Sequence, residues 1–301
     1  MTNRQKSDII NIIIVLGVRF KKTPGVRSID LRFSDVVRKL SSSGIDNAVT
    51  EAAYLVASLC GCNRDRLLLR IDDPELDSEA VGSAIEKRIG GYPLQYILGE
   101  WEFYGLGFKI EEGCLIPRSD TEILVDKAIS ILGCGVRFAD VCCGSGCIAV
   151  SVLKSRPDLS AVAVDLYDVP LSLTRKNAAL HGVEDRLDVI RADVLSERER
   201  LCSALCGCEL IISNPPYIPA RDISALDREL FYEPETALCG GDDGMDFYRA
   251  LLSISSELSI PALFEIGYDQ GEAIKELAAL YKRECTVYKD YSSNDRVAFI
   301  K

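Results

Sequence analysis

From Phe33 to about Glu86, apolar residues recur at three- and four-residue spacing: Val36, Val37 and Leu40, then Ala52, Ala53, Leu55, Val56 and Leu59. That spacing lines one face of a helix. Gly44, Gly61 and the Asp72-Asp73-Pro74 corner interrupt it, so a small helical bundle is predicted over residues 31–89. Residues 90–117 differ in character. Trp101, Phe103, Tyr104 and Phe108 are broken by Gly99, Gly105, Gly107 and Gly113, which predicts a hairpin linker. Ser119-Asp120-Thr121-Glu122 has capping-box spacing and predicts a helix running to about Leu132.

From there short apolar runs alternate with helical stretches. Val136 to Val141, Ala161 to Val164, Leu187 to Arg191 and Leu210 to Ile212 read as buried strands. One intervening helix starts near Asp168-Val169-Pro170 and ends near Gly182. Val297 to Ile300 reads as a last strand. A βα rhythm of this kind predicts an α/β domain with a mostly parallel sheet over residues 118–301.

Composition adds limits. A chain of 301 residues suits two domains better than one core. Residues 1–40 hold nine Lys/Arg against three Asp/Glu, a balance of +6, so residues 41–301 carry −17 of the total −11. An acidic main body disfavours duplex nucleic acid as partner, because neutralising phosphates supplies most non-specific affinity. Ile9 to Val18 is apolar and follows Arg4 and Lys6, yet Arg19, Lys21 and Lys22 come next without a small-residue cleavage site. The run is also too short for a bilayer, which needs about 20 residues. Residues 1–30 are therefore an extension without an assigned role, and a cytoplasmic protein is expected. Of twelve cysteines only Cys202, Cys206 and Cys208 have ligand-like spacing, with His181 the only histidine. Structural zinc calls for two close pairs, so no metal site is expected.

Two stretches carry chemistry. The first is Ser213-Asn214-Pro215-Pro216-Tyr217, after the strand Leu210-Ile211-Ile212. Two prolines stop the strand and stiffen Asn214 and Pro215 at its carboxyl end, where open α/β sheets bind ligands. Proline keeps a carbonyl but lacks an N–H, so the corner offers fixed acceptors. Asn214 with the Pro215 carbonyl could take the two hydrogens of a planar –NH2 group, while Tyr217 covers its face. A plain strand-end turn is the alternative. The second stretch, Asp140-Val141-Cys142-Cys143-Gly144-Ser145-Gly146-Cys147, is a small-residue loop between strand and helix. Gly144 and Gly146 permit close approach of a ligand, and the following helix offers free N–H groups. Lacking Gly-Lys-Ser/Thr, it is not a Walker phosphate loop. Asp165, about 20 residues on and ending the next strand, suits the ribose hydroxyls of an adenosine. Asp193 and Val194 end the third strand, beside the expected adenine. Loop, ribose acid, base contact and Asn-Pro-Pro-Tyr thus fall in series along one sheet edge.

With these motifs the chain resembles the HemK/PrmC-type methyltransferases, which modify a glutamine of peptide-chain release factors. The likeness covers residues 34–301. It rests on Tyr92 to Gly99, Phe103-Tyr104-Gly105, Leu115-Ile116-Pro117-Arg118, Ser213 to Ile218, Tyr232-Glu233-Pro234, Gly240 to Gly244, Phe247-Tyr248 and Glu265-Ile266-Gly267. The resemblance implies a Rossmann-like methyltransferase fold with a seven-stranded, mostly parallel sheet and a small N-terminal helical domain; the helical bundle is read as a docking surface for a macromolecular substrate, with a stabilising appendage as the alternative. The resemblance implies S-adenosylmethionine as cofactor and the glutamine of a Gly-Gly-Gln motif as methyl acceptor. It also places Asp140 on the methionine amine, with Phe103 and Arg118 as further candidates. The family usually carries glycine where Cys142 stands, which cysteine replaces at some conformational cost. Adenine-directed DNA methyltransferases and a non-catalytic cofactor-binding module are the competing readings.

Overall fold

The computed structural model describes residues 31–301; the extension over residues 1–30 lies outside them. A two-residue strand β1 (Leu31–Arg32) opens the helical part, followed by α1 (Phe33–Ser42), α2 (Ala48–Cys60) and α3 (Arg64–Leu68). Strand β2 (Glu75–Leu76), α4 (Ser78–Ile89) and α5 (Leu94–Leu98) complete it. The apolar stripe read from sequence forms its core: Val36, Leu40, Ala52, Leu55 and Val56 are buried together with Leu67, Val81 and Ile85. Leu59 is an exception at 39% exposure. Leu94 is buried in the same core and Ile97 and Leu98 pack on it, so the helical unit continues past Ile89 to Gly99. The linker is correspondingly shorter, an antiparallel hairpin of β3 (Glu100–Phe103) and β4 (Leu106–Lys109).

The capping box expected at Ser119 does not form. Ser119–Thr121 is a single 3-10 turn, and α6 (Glu122–Ile131) starts after it. Glu122 instead accepts a hydrogen bond from the Tyr104 backbone N–H at 2.8 Å, so the hairpin claims the carboxylate that a box would need.

The α/β part follows as β5 (Arg137–Val141), α7 (Cys147–Ser155), β6 (Ser160–Asp165), α8 (Asp168–His181), β7 (Leu187–Arg191), α9 (Arg198–Leu205) and β8 (Ile211–Ser213). Then come α10 (Asp246–Leu258), β9 (Ala262–Glu265), α11 (Gly271–Leu280), β10 (Cys285–Lys289) and β11 (Asp295–Ile300). Seven strands form one sheet in the order β10-β11-β9-β8-β5-β6-β7. The five from β9 to β7 run parallel, and β11 and β10 close the edge antiparallel. Apolar residues from both faces make two cores, one under α6, α7 and the hairpin, the other under α9, α10 and α11.

The chain winds outward from β5 through β6 and β7, then returns to the far side of β5 with β8. That reversal opens a crevice at the carboxyl ends of β5 and β8. Register decides what meets there. Val141 pairs with Ser213 and with Val164, which sets Cys142 beside Asn214 on one side and Asp165 on the other. Among the described residues, no helix is long and apolar enough to cross a membrane.

Candidate active site

A cavity of about 700 Å³ occupies this crevice. The size and mostly apolar lining, with few polar groups, suit a nucleoside-sized ligand plus a side chain. Cys142, Cys143, Gly144, Ser145, Asp165, Asp193, Val194, Asn214 and Pro216 all line it. Strands β5, β6, β7 and β8 each deliver their share from the residue at or just past the carboxyl end. Of the other candidates, Arg118 is on the wall, whereas Phe103 is 1% exposed in the core of the hairpin and takes no part.

The loop after β5 is held from below. Asp165 Oδ2 accepts from the Gly144 N–H at 3.0 Å, and its Oδ1 accepts from Leu166 and Tyr167. Burial raises this carboxyl above its ordinary value, and the three backbone donors draw it back. Asp193 similarly binds its own turn through Leu195 N–H and the Ser196 hydroxyl. Ser145 is buried, on the cavity wall, with its Oγ lacking any hydrogen-bond partner. A buried hydroxyl without a partner fits a ligand that brings a polar group.

Other expectations need correction. Asp140 is fully buried and not on the wall; its Oδ2 accepts from the Ala149 N–H at 3.0 Å, in the first turn of α7. The orphan N–H groups of that helix start have captured it. Burial pushes it up to about 7. Gly146 also stays off the wall. It is left-handed, and a Cβ there would meet Thr174 at 2.9 Å, so its role is close packing of α7 on α8. Tyr217 does not face the cavity either. Its ring packs on the core beside α10, and burial followed by the Glu265 charge lifts its hydroxyl to about 12.

The cause lies in how the Asn-Pro-Pro-Tyr corner is braced. Gln270 Nε2 donates to the Tyr217 carbonyl at 3.0 Å. Gly244, at φ 77°, passes so close that a Cβ would lie 2.3 Å from the same carbonyl. These contacts turn the Tyr217 side chain inward. Pro215, expected as a second acceptor, is buried and, unlike Asn214 and Pro216, does not line the cavity. Asn214 Nδ2 donates to Thr121 Oγ1 at 3.2 Å, and among the described residues nothing donates to its Oδ1.

Sequence reading missed part of the wall: Thr121, Tyr167, Thr236, Cys239 and Phe247. Thr236 and Cys239 belong to the segment after Tyr232-Glu233-Pro234, a motif with no role assigned from sequence. The structure supplies one. Glu233 is buried, accepts from the Ile116 N–H at 2.9 Å and pairs with Arg118, fixing that segment over the cavity.

Cys142 sits at φ 62°, the left-handed region that a side chain enters at a cost of roughly 1–2 kcal/mol. Cys142→Ala and Cys142→Gly both remove the sulfur, but only glycine relieves the strain. The glycine variant is expected to be more stable than the alanine variant by about 1 kcal/mol, read from denaturant unfolding. Equal stabilities would mean that the loop relaxes around the residue.

Known proteins resemble this chain in sequence. Residues 33–99 match the family model described as PrmC N-terminal domain, and residues 120–241 match the methyltransferase small domain. The release factor glutamine methyltransferase of Moorella thermoacetica is 37% identical over 273 residues, spanning 87% of this chain and 94% of that protein. That of Geobacter sulfurreducens is 34% identical over 270 residues, spanning 86% and 91%. Among solved structures, the hMettl16 catalytic domain superposes with a TM-score of 0.52 at 13% identity, covering 76% of this chain and 84% of that one, a likeness of fold alone. By its sequence identity over nearly the whole described length, the chain belongs to the release factor glutamine methyltransferase family.

Proposed function

We propose that this protein transfers a methyl group from S-adenosylmethionine to the side-chain amide nitrogen of the glutamine in the Gly-Gly-Gln motif of peptide-chain release factors, in the cytoplasm. The observation that carries the reading is Asn214: an acceptor oxygen to which nothing donates among the described residues, on the wall of a nucleoside-sized crevice, with its –NH2 taken by Thr121. When bound, the cofactor supplies an electrophilic methyl group on a sulfonium.

The chain's task is positioning. An amide nitrogen is a weak nucleophile, since its lone pair is spread onto the carbonyl. It must therefore be aimed and kept at near-attack distance, about 3–3.5 Å. Asn214 Oδ1 accepts from the –NH2 group and turns the nitrogen toward the methyl. As positive charge develops on that nitrogen, the same acceptor stabilises it. Pro216 closes the wall beside the amide, and Tyr217 braces the corner from behind. The Cys142-to-Ser145 segment would hold the methionine portion, Asp165 the ribose and Val194 the adenine, with Asp193 fixing the turn that carries Val194.

Methyl transfer from labelled cofactor to a purified release factor tests the reading. Its controls are the same factor with the Gly-Gly-Gln glutamine replaced by alanine, and duplex DNA. Label on the intact factor alone is expected. Label on DNA would overturn the reading in favour of adenine methylation, and cofactor binding without any transfer would favour a binding module.

A further inference from the structure

An amide has two ends of similar shape and opposite hydrogen-bonding sense. An Asn that must present its oxygen needs a partner that holds its –NH2. For Asn214 that partner is Thr121 Oγ1. A hydroxyl can either accept or donate, however, so it leaves the amide free to turn over unless its own proton is committed elsewhere.

Behind Thr121 lies Glu265, the last residue of β9 and only 2% exposed. Its carboxyl neighbours the hydroxyls of Thr121 and Tyr217, yet Oε2 has no hydrogen-bond partner. A buried carboxyl is costly to keep in that condition and calls for an explanation. Register brings it there: Ser213 pairs with Phe264, so Asn214 and Glu265 are the next residues along adjacent strands.

Resting on the reading of Asn214 as the acceptor for the substrate amide, we infer that Glu265 is a positioning residue acting through Thr121. Its carboxylate accepts a hydrogen bond from the Thr121 hydroxyl, which obliges Thr121 to accept from Asn214 Nδ2 and leaves Asn214 Oδ1 facing the substrate. An ionised carboxylate only accepts, so the chain from Asn214 through Thr121 to Glu265 has a single sense. A protonated Glu265 can donate to Thr121 instead. The threonine proton then turns to Asn214, the amide flips, and its –NH2 confronts the –NH2 of the substrate.

The surroundings bear on when each form is present. Burial pushes Glu265 up to about 7; Thr121, Arg296 and Tyr217 favour its charged form and Asp120 opposes it. Arg296 of β11 is the cation near the carboxyl, and Asp120 and Asp290 share it. From α10 the phenol of Tyr248 faces it and from α7 the thiol of Cys147, both held neutral by burial. The ionised form grows as pH rises through about 7, and with it the productive orientation of Asn214.

The test is kcat and KM for release factor methylation between about pH 6 and about pH 9, with calorimetric cofactor binding and thermal unfolding alongside. Wild type should show kcat rising through about 7, and Glu265→Gln should flatten that limb. Thr121→Val should lose roughly 10²-fold in kcat, with KM and cofactor affinity changed less than about threefold, and Thr121→Ser should regain most of the loss. Unchanged kcat in Thr121→Val, or a rising limb that survives in Glu265→Gln, overturns the inference. So does a Thr121→Ser enzyme as slow as the valine variant, with both melting early, because that marks a structural role. A wild-type enzyme that leaves the glutamine unlabelled removes the underlying reading, and this is visible before any variant is compared.

Discussion

Asn214→Ala is expected to lower kcat for glutamine methylation by roughly 10²–10³-fold, the usual consequence of removing one preorganised group that meets charge in the transition state. The side chain's –NH2 is already spent on Thr121, so what alanine deletes at the reacting nitrogen is the one acceptor oxygen. Cofactor affinity should change little, because the loop from Cys142 to Ser145, Asp165 and Val194 lines the cavity independently of it. KM for the release factor should also stay near its wild-type value if most of the protein substrate binds elsewhere. A loss confined to kcat identifies an interaction made mainly in the transition state. Asn214→Asp retains two acceptor oxygens but loses the donor to Thr121, so it should fall between wild type and alanine. Wild-type turnover in Asn214→Ala would sink the assignment, and lost cofactor binding would reassign the residue to the cofactor.

How far the sequence could anticipate this site depends on where each residue gets its placement. Cys142, Asp165, Asp193 and Asn214 end or follow strands that advertise themselves as β-branched runs. In a doubly wound sheet all such ends share one edge, so order along the chain was enough to bring them together. Tyr217 was misread because its direction depends on Gln270 and Gly244, which approach from far along the chain. Asp140 was misread for a related reason: the N–H of Ala149, in a helix start that nothing but its apolar pattern announced, competes for the carboxylate. Glu265 left no trace as a site residue. It appears only within the Glu265-Ile266-Gly267 motif, and its neighbours come from elsewhere: Asn214 through the β8–β9 register and Thr121 from the 3-10 turn before α6. Strands β9 and β10 were also missed, and β10 is a half-exposed edge that lacks a run of buried residues.

Arg88→Ala should be the most destabilising single change outside the cores, at about 3–5 kcal/mol, the range for removing one partner of a buried ion pair. Arg88 projects from α4 with its side chain only 8% exposed. It donates to Glu51 of α2 through Nε at 2.5 Å and a terminal nitrogen at 3.1 Å, and reaches Glu229 with the latter at 2.5 Å. Alanine leaves the Glu51 carboxylate, itself 16% exposed, without its countercharge inside the helical unit. Glu229 belongs to a 3-10 turn, Arg228–Tyr232, that leads directly into Glu233 and the cavity wall beyond it. Tyr232 adds a second tie, donating from its hydroxyl to the Gly90 carbonyl at 3.3 Å. The helical unit thus clasps the segment that closes the active site, and loosening the clasp should cost turnover as well as stability. Glu229→Ala provides the contrast. With its side chain 46% exposed, Glu229 is screened by water and its loss should cost no more than about 1 kcal/mol. Denaturant unfolding of the two variants decides the matter: if Arg88→Ala is no worse than Glu229→Ala, the buried guanidinium is not what holds the helical unit together.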